Sequence, residues 1–331
     1  MDDLLSKQIL MLDGGLGTTL EDQYDMKFST TTPLWSSHLL VEGSQTLSNV
    51  QKSFAQAGAD VILTATYQTS FEGFAKTRTE QYPEGIKRDK AEELMREAVD
   101  ISRFAFDGRP GLVALSLGAY GAVMIPSQEY SGQYGNLDDD DLFNFHFERL
   151  SVFVDGLTWS KIDIVAFETL PLLREITACR RAIRQIPDGK PYWLSCVFPE
   201  GDLLPDGSSI EEVVQEMMSG ARPPFAIGLN CTKVEKVPTL IRHFEAAASE
   251  LSIDLPRLVI YPDGAGGLVY DTMRQQWVGS GDEDSPWDLS MEKIVKQVTD
   301  RGKWKGLIVG GCCKTTPDHI AKLKQRLSGV I

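Results

Sequence analysis

Two turns in this 331-residue chain carry thiols: Gly228-Leu229-Asn230-Cys231 and, far downstream, Gly310-Gly311-Cys312-Cys313. Each follows a short apolar run that reads as a strand, Phe225-Ala226-Ile227 in one case and Leu307-Ile308-Val309 in the other. Strands distant in sequence can lie close together in one sheet, so three sulfurs can converge at their ends. Three thiolates with a fourth position open are the donor set of a catalytic zinc site, whereas structural sites close all four positions. Cys231, Cys312 and Cys313 are therefore the candidate ligands of one Zn2+ per chain. An open position beside them suits a thiol substrate. Cys179 and Cys196 read instead as small buried hydrophobes.

Other polar residues fall at the ends of similar apolar runs. Glu168 is reached through Ile164-Val165-Ala166-Phe167, where burial demands a partner for its charge. A substrate ammonium would serve, and so would a structural salt bridge. Asp13 has the same two readings. Gly14-Gly15-Leu16-Gly17-Thr18-Thr19 lacks the spacing and lysine of a phosphate loop, and reads as a turn that lets backbone N–H groups approach a ligand carboxylate. Thr64, Thr66 and Gln68 close another run, and Asp263 a further one. Tyr120, Tyr130 and Tyr134 cluster in one loop, where their rings can face a sulfonium or quaternary ammonium, or simply pack. His38, His146, His243 and His319 share no metal-ligand spacing; surface or interhelix roles are expected of them.

The elements that must position these residues follow from periodicity. Eight apolar runs, near 9–13, 61–67, 112–118, 164–169, 192–198, 225–231, 258–263 and 307–312, are mostly continuous rather than alternating, as in parallel strands buried on both faces. Helical periodicity separates them, over 90–106, 142–159, 210–218, 238–248 and 291–299. A last helix opens with Thr316 as N-cap, Pro317 at the first helical position and Asp318 in the first turn. Eight strands alternating with helices predict an α/β fold, a single (β/α)8 TIM-type barrel over 1–331 with long loops after strands 3 and 7, near 120–136 and 263–285. In such a barrel Asp13, Thr66, Glu168, Cys231, Asp263 and Cys312 all line the face where active sites are built.

Composition narrows the partners. The chain is 42% hydrophobic and carries a formal net charge of −14, which argues against nucleic acid or an anionic membrane as its main partner. Five cysteines are too few for a disulfide scaffold in a chain this long. No run approaches the roughly 20 apolar residues of a membrane span, and no cleavable apolar segment precedes Asp13, so a reducing cytoplasm is expected. No heptad or exposed seam reports an oligomeric state.

Taken together, Leu12-Asp13-Gly14-Gly15-Leu16-Gly17-Thr18, Glu168-Thr169-Leu170-Pro171, Gly228-Leu229-Asn230-Cys231 and Gly310-Gly311-Cys312-Cys313 resemble the homocysteine S-methyltransferase family, in the family's order and across nearly the whole chain. Gly118-Ala119-Tyr120-Gly121-Ala122 with Tyr130-Ser131-Gly132-Gln133-Tyr134 resembles the branch that uses S-methylmethionine or S-adenosylmethionine. The resemblance implies zinc on the three cysteines, L-homocysteine sulfur at the open position, and the amino-acid end held by Asp13, Gly14 and Glu168; Thr66 and Asn230 are further candidate substrate-binding residues. It implies a donor loop containing Tyr120, Tyr130 and Tyr134. Two positions depart from the pattern: Ala119 stands where proline is usual, and Asp263 where asparagine is expected, at a candidate fourth zinc position in the absence of substrate.

The implied chemistry is displacement of a methyl group from a sulfonium donor by the homocysteine sulfur, giving methionine. Zinc would hold that sulfur as thiolate, although a free thiol of pKa about 8.5 is mostly protonated at neutral pH. The implied partners are homocysteine and the donor. Betaine is an alternative cationic donor; the donor-loop resemblance and the short segment after the last helix disfavour it. Two other classes remain: a non-catalytic zinc or redox-sensing barrel, against which Asp13 and Glu168 argue, and a Schiff-base lyase, which needs a lysine at a strand end.

Overall fold

The computed structural model describes residues 2–29, 31–271, 276–279 and 286–329. The described residues form ten strands, eight of which alternate with helices: β1 (Ile9–Met11), β2 (Val61–Leu63), β3 (Leu112–Gly118), β4 (Ile164–Leu170), β5 (Tyr192–Cys196), β6 (Ala226–Lys233), β7 (Arg257–Asp263), β8 (Val269–Asp271), β9 (Gln276–Val278) and β10 (Leu307–Val309). Eight of them form one parallel sheet in the order β1-β10-β7-β6-β5-β4-β3-β2. A parallel bridge from Leu12 to Val61 brings β1 beside β2 and closes the sheet into a (β/α)8 barrel. Alternation inside each strand explains the continuous apolar runs. Leu10, Val61, Ala114, Ala166, Trp193, Val259 and Ile308 pack together in one buried cluster. Their neighbours Ile9, Met11, Ile62, Val113, Val165 and Leu194 belong to the second cluster, shared with the helices. Both faces are apolar because both are covered.

One expectation is corrected. The helix expected over 142–159 is two helices, Asp139–Ser151 and Gly156–Lys161. Asp155 divides them: its side chain caps the second helix by accepting from the N–H groups of Leu157 and Thr158, a competition that short acidic side chains win at helix starts. The long loop expected after β7 is present. It carries the antiparallel pair β8 and β9, with Tyr270 opposite Trp277, while 272–275 and 280–285 of that loop lie outside the described residues. Thr316 caps the final helix, Pro317–Leu327, as its sequence foretold. No described helix is long and apolar enough to cross a membrane.

Candidate metal centre and substrate site

A cavity opens at the carboxyl ends of the strands, lined by Asp13 and Gly14 from β1, Glu168 and Thr169 from β4, Asn230 and Cys231 from β6, Tyr261 from β7, and Cys312 and Cys313 after β10. β6 and β10 both pair with β7, so their ends meet across it. The sulfurs of Cys231, Cys312 and Cys313 all lie within 4.8 Å of one another. The sequence spacing alone required nothing of the kind; the sheet order supplies it.

Local backbone aims the thiols. The pairing of β6 with β7 slips between Asn230 and Lys233, and that of β4 with β5 between Phe167 and Leu170. Within these bulges Cys231 adopts φ 46° and Thr169 φ 59°, left-handed conformations that side-chain-bearing residues rarely hold. The Asn230 side chain ties the two bulges together. Its Oδ1 accepts from the Thr169 N–H at 2.8 Å and from Ser195 Oγ at 2.8 Å; its Nδ2 donates to Thr169 Oγ1 at 2.7 Å and to Cys231 Sγ at 3.2 Å. Below it, Ser195 meets Tyr261 and Tyr261 meets Trp193, a buried polar chain leading to one sulfur.

The other two thiols sit on a turn stitched to both neighbours. The Cys312 N–H donates to Pro262 O at 2.9 Å, the Gly264 N–H to Cys313 O at 2.8 Å and the Gly311 N–H to Asp13 O at 3.0 Å. This geometry revises the reading of the Gly14-Gly15 turn. The Gly15 N–H donates to Thr315 O at 2.9 Å, so it is not available to a ligand. Glycine is required because a Cβ there would stand 2.3 Å from Cys312 O. The first turn makes room for the cysteine turn.

Cys231 and Cys312 are joined by a disulfide, with Cys313 Sγ 4.0 Å from Cys312 Sγ. The expectation of free thiols at all three positions is corrected to that extent. Sulfurs close enough to share one metal ion are close enough to bond to each other when two electrons are removed. Burial, Asp263, Glu129 and Glu21 push the Cys313 thiol up to about 12, so negative groups already crowd the place where thiolates would form. A soft donor set of three sulfurs in an anionic pocket fits zinc.

Two buried carboxylates face the same cavity. Asp13 accepts from the Leu63 N–H through Oδ2 at 2.9 Å, and its buried Oδ1 has no hydrogen-bond partner among the described residues. Burial and the Glu168 charge hold its carboxyl well above the usual range. Glu168 accepts from Ser116 Oγ and meets Tyr261; burial raises it from 4.5 to about 7 although Arg149 pulls the other way. Two carboxylates so placed call for an ammonium.

Several expected site residues are placed elsewhere. Thr66 turns its hydroxyl to Ser116 O and to Thr64 Oγ1, and Thr64 lines the cavity in its stead. Of the loop tyrosines, Tyr130 lines the cavity; Tyr134 and Tyr120 do not. Tyr134 donates to Glu175 Oε2 at 2.9 Å and packs against Tyr120, whose N–H donates to Glu175 Oε1 at 2.6 Å. Asp263 accepts from the Ala265 N–H and acts on Cys313 through its charge; its carboxylate lies outside the three-sulfur cluster.

The structure adds residues that no sequence signal marked. Glu175 also takes His146 Nε2 at 2.9 Å, making a buried node under the loop after β3. Arg149 donates to Gly118 O, Thr66 O and Tyr67 O and so fixes the ends of β2 and β3. Glu129, adjacent to Tyr130, lines the cavity and is raised to about 7 by burial, against the hydrogen bonds of Ser127 and its own N–H.

Fold and site thus define a parallel-barrel enzyme with a thiol cluster and an acidic clamp on one face. Comparison with known proteins names the class: residues 10–327 match the model of the homocysteine S-methyltransferase family, and the chain belongs to that family. It is 30% identical to homocysteine S-methyltransferase 1 of Arabidopsis thaliana over 346 residues, covering 99% of this chain and 96% of the relative. Among solved structures it is similar to the homocysteine methyltransferase MmuM of Escherichia coli. The metallated form matches with a TM-score of 0.75 at 28% identity, covering 98% of each chain, and the oxidised form with a TM-score of 0.72.

Proposed function

We propose that this homocysteine S-methyltransferase carries zinc on Cys231, Cys312 and Cys313 and moves a methyl group from a sulfonium donor, S-methylmethionine or S-adenosylmethionine, to L-homocysteine. The observation that carries the reading is one cavity lined at once by three clustered sulfurs, by Asp13 and Glu168, and by the aromatic side chains of Tyr67 and Tyr130. When bound, zinc would supply a Lewis acid that keeps the acceptor sulfur deprotonated.

The chain's own residues do the rest. Asp13 Oδ1 and Glu168 hold the acceptor's ammonium, which fixes its side chain towards the sulfurs. Asn230 donates to Cys231 Sγ and would steady that sulfur as a ligand. Tyr67 and Tyr130 line the cavity, where their rings would attract a sulfonium and exclude water. In the transfer the acceptor thiolate donates an electron pair to the methyl carbon and the bond to the donor sulfur breaks. The donor's positive charge is thereby neutralised, and two neutral thioethers result. No proton moves in that step, so alignment of the two sulfurs is the main demand on the protein.

The test is metal analysis combined with turnover. Protein purified under reducing conditions should hold about one zinc per chain, and should form methionine from homocysteine with S-methylmethionine or S-adenosylmethionine faster than with betaine. Methionine from betaine alone would overturn the donor assignment. Absence of zinc from protein with free thiols would overturn the metal assignment.

A further inference from the structure

The cavity holds one carboxylate that this reaction has not used. Glu129 follows the 3-10 turn Tyr120–Val123 in the loop after β3, whereas Asp13 follows β1 and Glu168 lies in β4. It is 7% exposed, and its buried Oε2 has no hydrogen-bond partner among the described residues. No described cationic side chain is paired with it. It lines the same cavity as Tyr67, Tyr130, Tyr270 and Cys313. A buried carboxylate oxygen without a donor is costly, and a ligand that supplies an N–H to it removes that cost.

We propose that Glu129 binds the α-ammonium of the methyl donor and selects amino-acid sulfonium donors over cationic donors that lack an N–H. The inference rests on the function proposed above. Both substrates of that reaction carry an ammonium. Asp13 and Glu168 form one anionic pole, coupled to each other. Glu129 forms a second, carried on a different loop beside Tyr130 in the same cavity. One pole holds the acceptor, leaving the other for the donor. Hydrogen bonding decides which part of the donor it takes. A sulfonium and a quaternary ammonium have no N–H and are served by ring faces; only an ammonium satisfies Oε2. The loop that carries Glu129 is itself anchored, because the Gln128 N–H donates to Gly121 O at 2.8 Å and the Tyr120 N–H donates to Glu175.

The experiment compares S-methylmethionine with its des-amino analogue, dimethylsulfoniobutyrate, on wild type and Glu129→Gln, an isosteric change that keeps the side chain's volume. The KM for S-methylmethionine should rise about 10- to 100-fold, the worth of one charged hydrogen bond. The KM values for the analogue and for homocysteine should stay within about 2-fold, because neither uses this oxygen. Glu129→Asp should recover part of the loss. Equal rises for both donors would mean that Glu129 supports the loop or the sulfonium, and would overturn the proposal, as would an unchanged S-methylmethionine KM. Wild type that makes no methionine from any sulfonium would instead sink the proposed function. Calorimetric binding of S-methylmethionine to the two proteins then still decides the inference: equal affinities overturn it, and a selective loss in the variant upholds it.

Discussion

Cys231 shows how much a single side chain depends on its supports. Its φ of 46° is held by the slip of β6 against β7, and its sulfur by Asn230 Nδ2. Replacing Cys312 by serine removes one of three soft donors while leaving the turn's backbone bonds intact. Cys312→Ser should therefore lose zinc and turnover together while the barrel still unfolds cooperatively, measured by metal analysis, assay and circular dichroism; near wild-type turnover would refute the zinc reading. Asn230→Ala leaves all three sulfurs but frees one of them, and should weaken zinc affinity about 10- to 100-fold, as losses of groups that orient a ligand do. A chelator titration would measure it. Unchanged affinity would mean that the backbone alone aims Cys231.

At the scale of elements, the site is an agreement between the turns that close β1 and β10. Gly15 sits so near Cys312 O that a methyl group would have to push the cysteine turn outward. Gly15→Ala should cost about 1–3 kcal/mol of stability, the usual range for overpacking, and should lower zinc occupancy with it. Urea denaturation and metal analysis report the two effects. A stability loss with full zinc occupancy would show that the turn shifts without carrying its sulfurs. The node at Glu175 does comparable work for the loop after β3, since Tyr120, Tyr134 and His146 all converge on it from different elements.

For the molecule as a whole, an acidic cavity within an acidic chain makes stability depend on pH and on ligands. Burial raises Glu168 from 4.5 to about 7. A carboxyl with a raised folded pKa binds its proton more tightly when folded, so its contribution to stability is full below 4.5 and is lost as pH rises through about 7. That shift converts to about 3 kcal/mol. Ligand-free wild type should thus lose more stability than Glu168→Gln between those limits, by thermal denaturation, and homocysteine should restore part of it. Parallel curves would show that Glu168 is already compensated. Oxidation acts on the same centre, because the Cys231–Cys312 disulfide occupies two of the three sulfurs proposed for zinc. A mild oxidant should release zinc and stop turnover together, and a reductant with added zinc should restore both. Zinc retained after the disulfide has formed, by thiol titration, would contradict shared use of these sulfurs.

Local pattern carried a good part of this. Continuous apolar runs marked all eight barrel strands because both faces of each are buried, and Thr316-Pro317-Asp318 marked a helix start because cap chemistry is local. The cysteine trio was legible because three sulfurs gathered at two strand ends have few uses. What the tertiary structure alone decided is which side chains face inward and what they meet. Thr64 rather than Thr66 lines the cavity, and Asn230 bonds Thr169 across 61 residues of sequence while Tyr134 bonds Glu175 across 41. Such pairings depend on strand order, bulges and the crossing of distant loops, none of which leaves a periodic trace. The unpartnered oxygen of Glu129 is of this kind: a lone glutamate in a loop reads as solvated until the fold buries it.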